Sequence, residues 1–337
     1  MRKIDVFNHI YPASYYTRLM RVAPDYKDIG KRMRNIPMLA DLDVRFRVMD
    51  LFGDYQQVLS LPTPPLEAFA AMTDVADLAR AANDGMAELV ARHPDRFPAF
   101  VASLPLNDPD AAVRELRRAV DDLGARGFQM FSNVAGRPIS APEFLPLFET
   151  MAAYDLPIWL HPYRGPEFSD YQTEDRSQYE IWWTFGWPYD TSAAMARLVF
   201  AGYFDRFPHL KIVTHHMGAM APYFEGRIGP GWDQLGARTS DTDYSVVLRR
   251  LAKRPLDYFK MFYADTALFG AYDATVCGLR FFGPDRVVFA SDAPFDPERG
   301  PMYIRETIAI VDRLPISGDE RERFYSGNAI ALLQLTN

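Results

Sequence analysis

The sequence predicts a single (β/α)8 barrel, a TIM-barrel α/β fold with helical and aromatic loop insertions at the mouth where its strands end. Three observations predict it. Four short apolar runs, spread from the first residues to near the last, each end in His or Asp: Ile4-Asp5-Val6-Phe7-Asn8-His9, Pro157-Ile158-Trp159-Leu160-His161, Leu210-Lys211-Ile212-Val213-Thr214-His215-His216 and Arg286-Val287-Val288-Phe289-Ala290-Ser291-Asp292. Parallel neighbours around one axis would gather the four tips at the end where such barrels carry chemistry. Strand-like and helix-like segments alternate along the whole chain, which calls for a parallel sheet, and polar tips at both ends of the chain favour closure over an open sheet. The third is length: one elaborated barrel uses all 337 residues, so 1–337 is read as one domain.

Taken in order, the first strand at 3–7 is followed by 13–40, where Tyr, Met and Arg mix with Pro24 and Gly30. So irregular a segment predicts a helix or two folded over the mouth, not a short connector. Residues 42–51 have helical spacing, 57–61 form the second strand before Pro62-Thr63-Pro64-Pro65, and 74–92 is rich in helix formers. The third strand spans 97–104; Pro109 opens a helix over 110–123 that Gly124 ends. The fourth strand (127–131), a helix (142–154) and the fifth strand (157–161) follow. The longest insert, 163–189, carries Tyr171, Tyr179, Trp182, Trp183, Phe185 and Trp187, which need a pocket or a second subunit to pack on. Beyond it come a helix (191–204), the sixth strand (210–214) and a segment, 222–250, helical at its ends and Gly-rich at Gly229-Pro230-Gly231. The seventh (260–264) and eighth (286–290) strands precede closing helices at 304–314 and 320–333.

Hydrophobic residues at 48% and aromatics at 14% supply a large core. A formal charge of -7 lacks the concentrated basic face of a nucleic-acid surface, so small molecules are the expected partners. The single cysteine, Cys277, excludes an internal disulfide and a cysteine-based zinc knuckle and fits a reducing compartment, so a cytoplasmic protein is expected. Asp5, Asn8 and His9 break the first apolar run, and none approaches the roughly 20 residues that cross a bilayer, so no membrane association is expected.

His9, His161, His216 and Asp292 form the candidate site. Singly, a His at a strand end is an ordinary hydrogen-bonded residue and an Asp after Ser an ordinary cap. Four strand ends with the same residue types point instead to a centre for zinc, manganese or iron with a position left open for water or substrate. His93 and His209 precede strands, at the opposite end of a barrel, and receive no role.

Several of these stretches carry a family likeness: Ile158-Trp159-Leu160-His161-Pro162, Phe185-Gly186-Trp187-Pro188-Tyr189, Leu198-Val199-Phe200-Ala201-Gly202, residues 210–218 with Pro222, Tyr263-Ala264-Asp265-Thr266-Ala267 and Phe289-Ala290-Ser291-Asp292-Ala293-Pro294-Phe295. As a set they resemble the amidohydrolase superfamily, in its amidohydrolase-2 branch, which contains aminocarboxymuconate semialdehyde decarboxylase and γ-resorcylate decarboxylase. The resemblance implies a distorted barrel with one divalent metal ion, zinc in the first place and manganese or iron as alternatives. It implies ligands from a first-strand His-x-His or Glu-x-His, a fifth-strand His and an eighth-strand Asp, matched by His9, His161 and Asp292. Phe7 departs from the pattern: it stands where the family has its first donor and cannot ligate.

His216 matches the sixth-strand general acid/base when Gly218 and Pro222 serve as anchors, with Asp292 as metal ligand or proton acceptor; His215 becomes its neighbour, turned to the wall or to substrate. Arg227 matches an arginine that in related decarboxylases crosses a dimer interface to the substrate carboxylate, implying a homodimer; its other reading is a surface pair with Glu225 or an aspartate. Arg164, Trp187 and Phe295 are further substrate-binding candidates. The activity implied is non-oxidative decarboxylation of a small aromatic or unsaturated carboxylic acid, in which a metal polarises the substrate and a histidine moves the proton. Hydrolysis of a small ester, amide or lactone is the second reading. Phe7 motivates a third, a non-catalytic binding protein on a degenerate barrel.

Overall fold

The computed structural model describes residues 1–68 and 72–335. Eight parallel strands form its centre: β1 (Lys3–His9), β2 (Tyr55–Ser60), β3 (Ala99–Phe100), β4 (Phe128–Phe131), β5 (Ile158–His161), β6 (Ile212–Thr214), β7 (Tyr263–Asp265) and β8 (Val287–Val288). β1 to β3 pair in one ladder and β4 to β8 in another. The ladders meet at both edges. Ala102 bridges Phe128, with Ala102 N–H donating to Gly127 O and Gln129 N–H to Ala102 O, both at 2.9 Å. On the other side Asn8 bridges Ala293, Val6 N–H donates to Phe289 O at 3.0 Å, and Asp292 N–H donates to Phe7 O at 2.9 Å. The ring is therefore closed in chain order, which is the expected barrel.

Differences from the sequence reading have local causes. β7 begins three residues late because Pro255, in the first turn, starts a helix at Pro255–Phe259 that consumes the preceding chain. β3 pairs regularly at only two residues, since Val101 still bonds Leu59 while Ala102 turns to β4. Gly229-Pro230-Gly231 lies inside the helix Glu225–Trp232, where proline forfeits one backbone bond near the helix end. The helix expected at 191–204 starts at Gly186, so Trp187 falls in its first turn. The segment after β1 folds as Ala13–Val22, Ile29–Met33 and a 3-10 turn at Pro37–Leu39.

Ile4, Val6, Phe7, Val58, Trp159, Val213 and Val288 fill the lumen, and Ala329, Leu332 and Leu333 of the last helix, Asn328–Leu333, pack on them. Trp159 is fully buried and its Nε1–H donates to Val6 O at 3.0 Å. β1 carries a one-residue bulge: Asp5 faces Gln57 but Asn8 faces Leu59. A bulge re-aims the side chains beyond it, and here Phe7 and His9 both turn into the lumen.

Two buried polar residues hold this strand. Asp5 accepts from Phe7 N–H at 3.2 Å, Ser291 N–H at 3.1 Å and Tyr55 O–H at 2.5 Å, and burial pushes its carboxyl up to about 6. Arg45, from the helix Leu42–Met49, donates to Gln57 Oε1 at 2.5 Å, to Met38 O at 3.1 Å and to the carbonyl of His9. The tip of β1 is thereby fixed before any ligand is considered.

Candidate active site and metal centre

His9 and His161 are the last residues of β1 and β5, and His215 immediately follows β6. Each turns its Nδ1 to an acceptor: His9 to Leu61 O at 3.0 Å, His161 to Pro162 O at 2.7 Å, and His215 to Asp265 Oδ2 at 2.5 Å. In the neutral ring an acceptor at Nδ1 places the proton there and leaves Nε2 as a lone-pair donor. One donor atom from each of the three histidines lies within 4.8 Å of the others, and the same holds for His215, His216 and Asp292.

Asp292 stands beyond β8 with φ 60. Its Oδ1 is 3.2 Å from His9 Nε2 and 3.5 Å from His215 Nε2, and its Oδ2 is 3.7 Å from His216 Nε2. The His9 contact has the distance of a hydrogen bond without its alignment, so Nε2 of both His9 and His215 is buried without a hydrogen-bond partner among the described residues. Buried orphans converging with a carboxylate fit a divalent cation, for which imidazole and carboxylate are suitable donors.

Charge is arranged to match. Burial lowers the His9 and His161 imidazoles, and burial together with the neighbouring His215 lowers His216. Burial also works against a charged His215, but Asp265 and Asp292 outweigh it and raise that imidazole to about 9. Asp292, although buried, is held well below the usual carboxylate range by the charge of His215 and by its close contacts with His215, His216 and His9. The extra proton that Asp265 and Asp292 hold on His215 would be displaced by a divalent cation at its Nε2.

His216 differs from the other three. Its φ is 54, as is that of Met217, and the short turn His216–Gly218 folds it back over the site. Met217 fits because residue 278 is glycine: a Cβ there would meet Met217 Cγ at 2.0 Å. Left-handed residues away from glycine are strained and gather at functional sites. The His216 ring lies against Phe269, and its Nδ1 has no partner among the described residues.

Above these groups opens a cavity of about 620 Å³, reached by His161 and Asp292 and walled by Trp182, Trp183, Trp187, Phe269, Phe295 and Tyr303. Lys31, Arg32 and Arg176 line it together with Asp28 and Glu180, and Thr63 faces His161 at 3.4 Å. Phe295 is 5.2 Å from His9 and Trp187 is 5.7 Å from His161, centroid to centroid. Part of the cover is the segment after β1, whose Asp28 meets Arg176 of the long insert at 3.4 Å. Such a space suits a flat aromatic guest.

Of the residues singled out in the sequence, His9, His161, His215, His216 and Asp292 therefore lie together, and Trp187 and Phe295 line the cavity above them. Arg164 lines an adjoining cavity, with Asp190 at 3.3 Å and the Phe168 ring at 4.8 Å. Arg227 is exposed on an outer groove with Phe224, Trp232 and Arg238, away from the mouth of its own chain. Its alternative pairing is not formed, because Glu225 binds Lys260 at 2.7 Å. His93 packs on Phe46 and His209 is exposed. Sequence reasoning missed Asp265 and Thr63. Asp265 ends its strand as the other polar tips do, but the strand was placed one residue too early to include it.

The sequence matches the amidohydrolase family over residues 8–335. It is 33% identical over 319 residues to a gamma-resorcylate decarboxylase from Polaromonas sp., covering 92% of this chain and 91% of that one. Among solved structures, the dihydroxybenzoic acid decarboxylase of Polaromonas sp., with bound manganese and the inhibitor 2-nitroresorcinol, is similar with a TM-score of 0.78 at 31% identity, covering 99% of this chain and 97% of that one. The 5-carboxyvanillate decarboxylase of Sphingomonas paucimobilis is similar with a TM-score of 0.80 at 27% identity, covering 100% of both chains.

Proposed function

The chain belongs to the amidohydrolase family, and on that premise we propose that it is a metal-dependent, non-oxidative decarboxylase of an aromatic acid that carries a hydroxyl beside its carboxylate. The observation that carries the reading is His216, whose buried Nδ1 has no partner among the described residues, beside the Asp292 carboxylate that lines an aromatic-walled cavity. The compounds named with the relatives share that chemistry: gamma-resorcylate and 5-carboxyvanillate both place a hydroxyl ortho to the carboxylate.

His9, His161 and Asp292 would hold the ion, which when bound polarises a chelating carboxylate and hydroxyl. Zinc was the expectation from sequence, manganese is bound in a relative, and the nitrogen and oxygen donors suit either. The protein's own groups move the proton. His216 enters the reaction neutral, because burial and the adjacent His215 disfavour its charged form. It accepts the hydroxyl proton and returns it to the ring carbon that bears the carboxylate. The carbon–carbon bond then breaks, its electron pair restores the aromatic ring, carbon dioxide leaves, and the phenolate product takes a proton from water. Trp187 and Phe295 would hold the ring flat.

Substrate handling extends to a second subunit in this reading. Arg227 is exposed on an apolar groove and has no ion pair among the described residues, which supports a role across a homodimer interface toward a partner's substrate carboxylate. Arg164 would act beside the mouth. The chain acts as one domain over 1–337, in the cytoplasm; no described helix is long and apolar enough to cross a membrane.

The test is incubation of manganese- or zinc-loaded protein with 2,6-dihydroxybenzoate and related ortho-hydroxybenzoates, reading carbon dioxide release and the ring product. Decarboxylation of at least one such acid is expected. Cleavage of esters or lactones by protein that leaves every hydroxybenzoate intact would move the assignment to hydrolysis.

A further inference from the structure

We propose that His215 is itself a metal ligand, a third imidazole donor that supplies what Phe7, on the same lumenal face of β1 as His9, does not. The inference rests on the metal-centre reading above and adds a donor to it.

Three observations carry it. His9, His161 and His215 share one arrangement, with Nδ1 tied to a carbonyl or carboxylate oxygen at 3.0, 2.7 and 2.5 Å. A metal-bound histidine is oriented by this kind of outer contact, which fixes the tautomer and turns Nε2 to the ion. His216, whose Nδ1 has no partner among the described residues, lacks it.

The second observation is an unsatisfied atom. A purely structural buried histidine would satisfy both nitrogens, because a buried polar atom left without a partner is costly. His215 is fully buried, yet its Nε2 makes no hydrogen bond among the described residues, and Asp292 Oδ1 is 3.5 Å away. One ring nitrogen of His215 lies within 4.8 Å of one donor nitrogen each of His9 and His161, and Nδ1 is already taken by Asp265.

The third is Phe7. Its ring is stacked on His215, centroids 3.8 Å apart and planes 14° apart, and lies 5.7 Å from both His9 and His161. It occupies a corner of the centre with a surface that cannot bind a cation but can hold an imidazole plane. Asp265 in the plane of the ring and Phe7 across its face leave Nε2 one direction to point. The donor set becomes His9, His161, His215 and Asp292, three nitrogens and one oxygen, with His216 left to handle protons.

The experiment reads metal, not turnover. Manganese-loaded protein labelled with 15N-histidine is examined by pulsed electron paramagnetic resonance, and metal affinity is measured by chelator competition in wild type, His215→Ala, Phe7→Glu/His215→Ala and His216→Asn. Three coupled imidazoles are expected in wild type and two in His215→Ala, with affinity lowered about 100-fold or more, since even an outer-contact loss costs 10–100-fold. In the double variant, a carboxylate two residues before His9 on the same strand face should recover most of that affinity. His216→Asn should bind like wild type. Two coupled imidazoles in wild type, or unchanged affinity in His215→Ala while His161→Ala loses the ion, overturns the role of His215 and leaves the metal centre standing. Wild-type protein that takes up neither manganese nor zinc overturns both; the wild-type nitrogen count stands even where a variant fails to fold.

Discussion

Replacing His216 by asparagine separates proton transfer from folding and from metal binding. Asparagine is chosen because His216 sits at φ 54, a left-handed conformation that asparagine adopts more readily than alanine. The side chain contributes little to stability: its Nδ1 bonds nothing described, its Nε2 is 3.7 Å from Asp292, and its main contacts are ring faces of His215 and Phe269. A loss of stability below about 1 kcal/mol is therefore expected. Catalysis should fall much further. Removing a positioned general acid/base costs about 100- to 10,000-fold, equivalent to about 2.7–5.4 kcal/mol of barrier. The assay follows loss of 2,6-dihydroxybenzoate absorbance by metal-loaded protein, with metal per chain and the urea midpoint measured on the same preparation. A kcat within about threefold of wild type, at equal metal content, refutes the proton-transfer role, since that is a change of only about 0.7 kcal/mol.

The other expectations concern the ion, the buried carboxyl and the outer groove. His161→Ala should lower metal content and turnover together, in contrast to His216→Asn, and elemental analysis beside the activity assay separates them. Asp5 carries its pH dependence in a definite direction. Burial raises its carboxyl from 3.8 to about 6, so the fold keeps a proton that the unfolded chain releases between those values. Its stability contribution is complete below about pH 4 and is lost as pH rises through 6, amounting to about 3 kcal/mol at 1.36 kcal/mol per pKa unit. Asp5→Asn does not titrate, so its stability relative to wild type should improve by that order between pH 4 and pH 8 in urea unfolding; a pH-independent difference counts against a protonated Asp5. Arg227 is exposed and lacks an ion pair among the described residues, so Arg227→Ala should leave stability within about 0.5 kcal/mol. If its guanidinium binds a carboxylate in the partner subunit, kcat/KM should fall about 10- to 100-fold with the dimer intact by sedimentation, a range set by the 1.5–3 kcal/mol of a charged hydrogen bond; an unchanged kcat/KM removes it from the site.

How far this site could be read from sequence depended on what each residue's position required. β5 and β8 were legible because an apolar run ends in an abrupt polar residue, and the barrel followed from parallel strands that must share one mouth. The bulge in β1 was not legible, because its extra residue exists only relative to β2: Asp5 faces Gln57 and Asn8 faces Leu59. Without it the orientation of Phe7 could not be derived, and the sequence shows Phe7 as a missing donor but not as the surface on which His215 stacks at 3.8 Å. The paired histidines show the same limit. Strand alternation sends adjacent side chains to opposite faces, so one of His215 and His216 belongs inside and the other outside. The chain leaves strand geometry at that point, and positive φ at His216 and Met217 folds His216 back, so both Nε2 atoms approach Asp292, at 3.5 and 3.7 Å. A local backbone reversal thus puts two histidines with different surroundings at one carboxylate, one tied down through Asp265 and the other unanchored at Nδ1. That asymmetry is what a site needs if one imidazole is to stay fixed while its neighbour gains and gives up a proton.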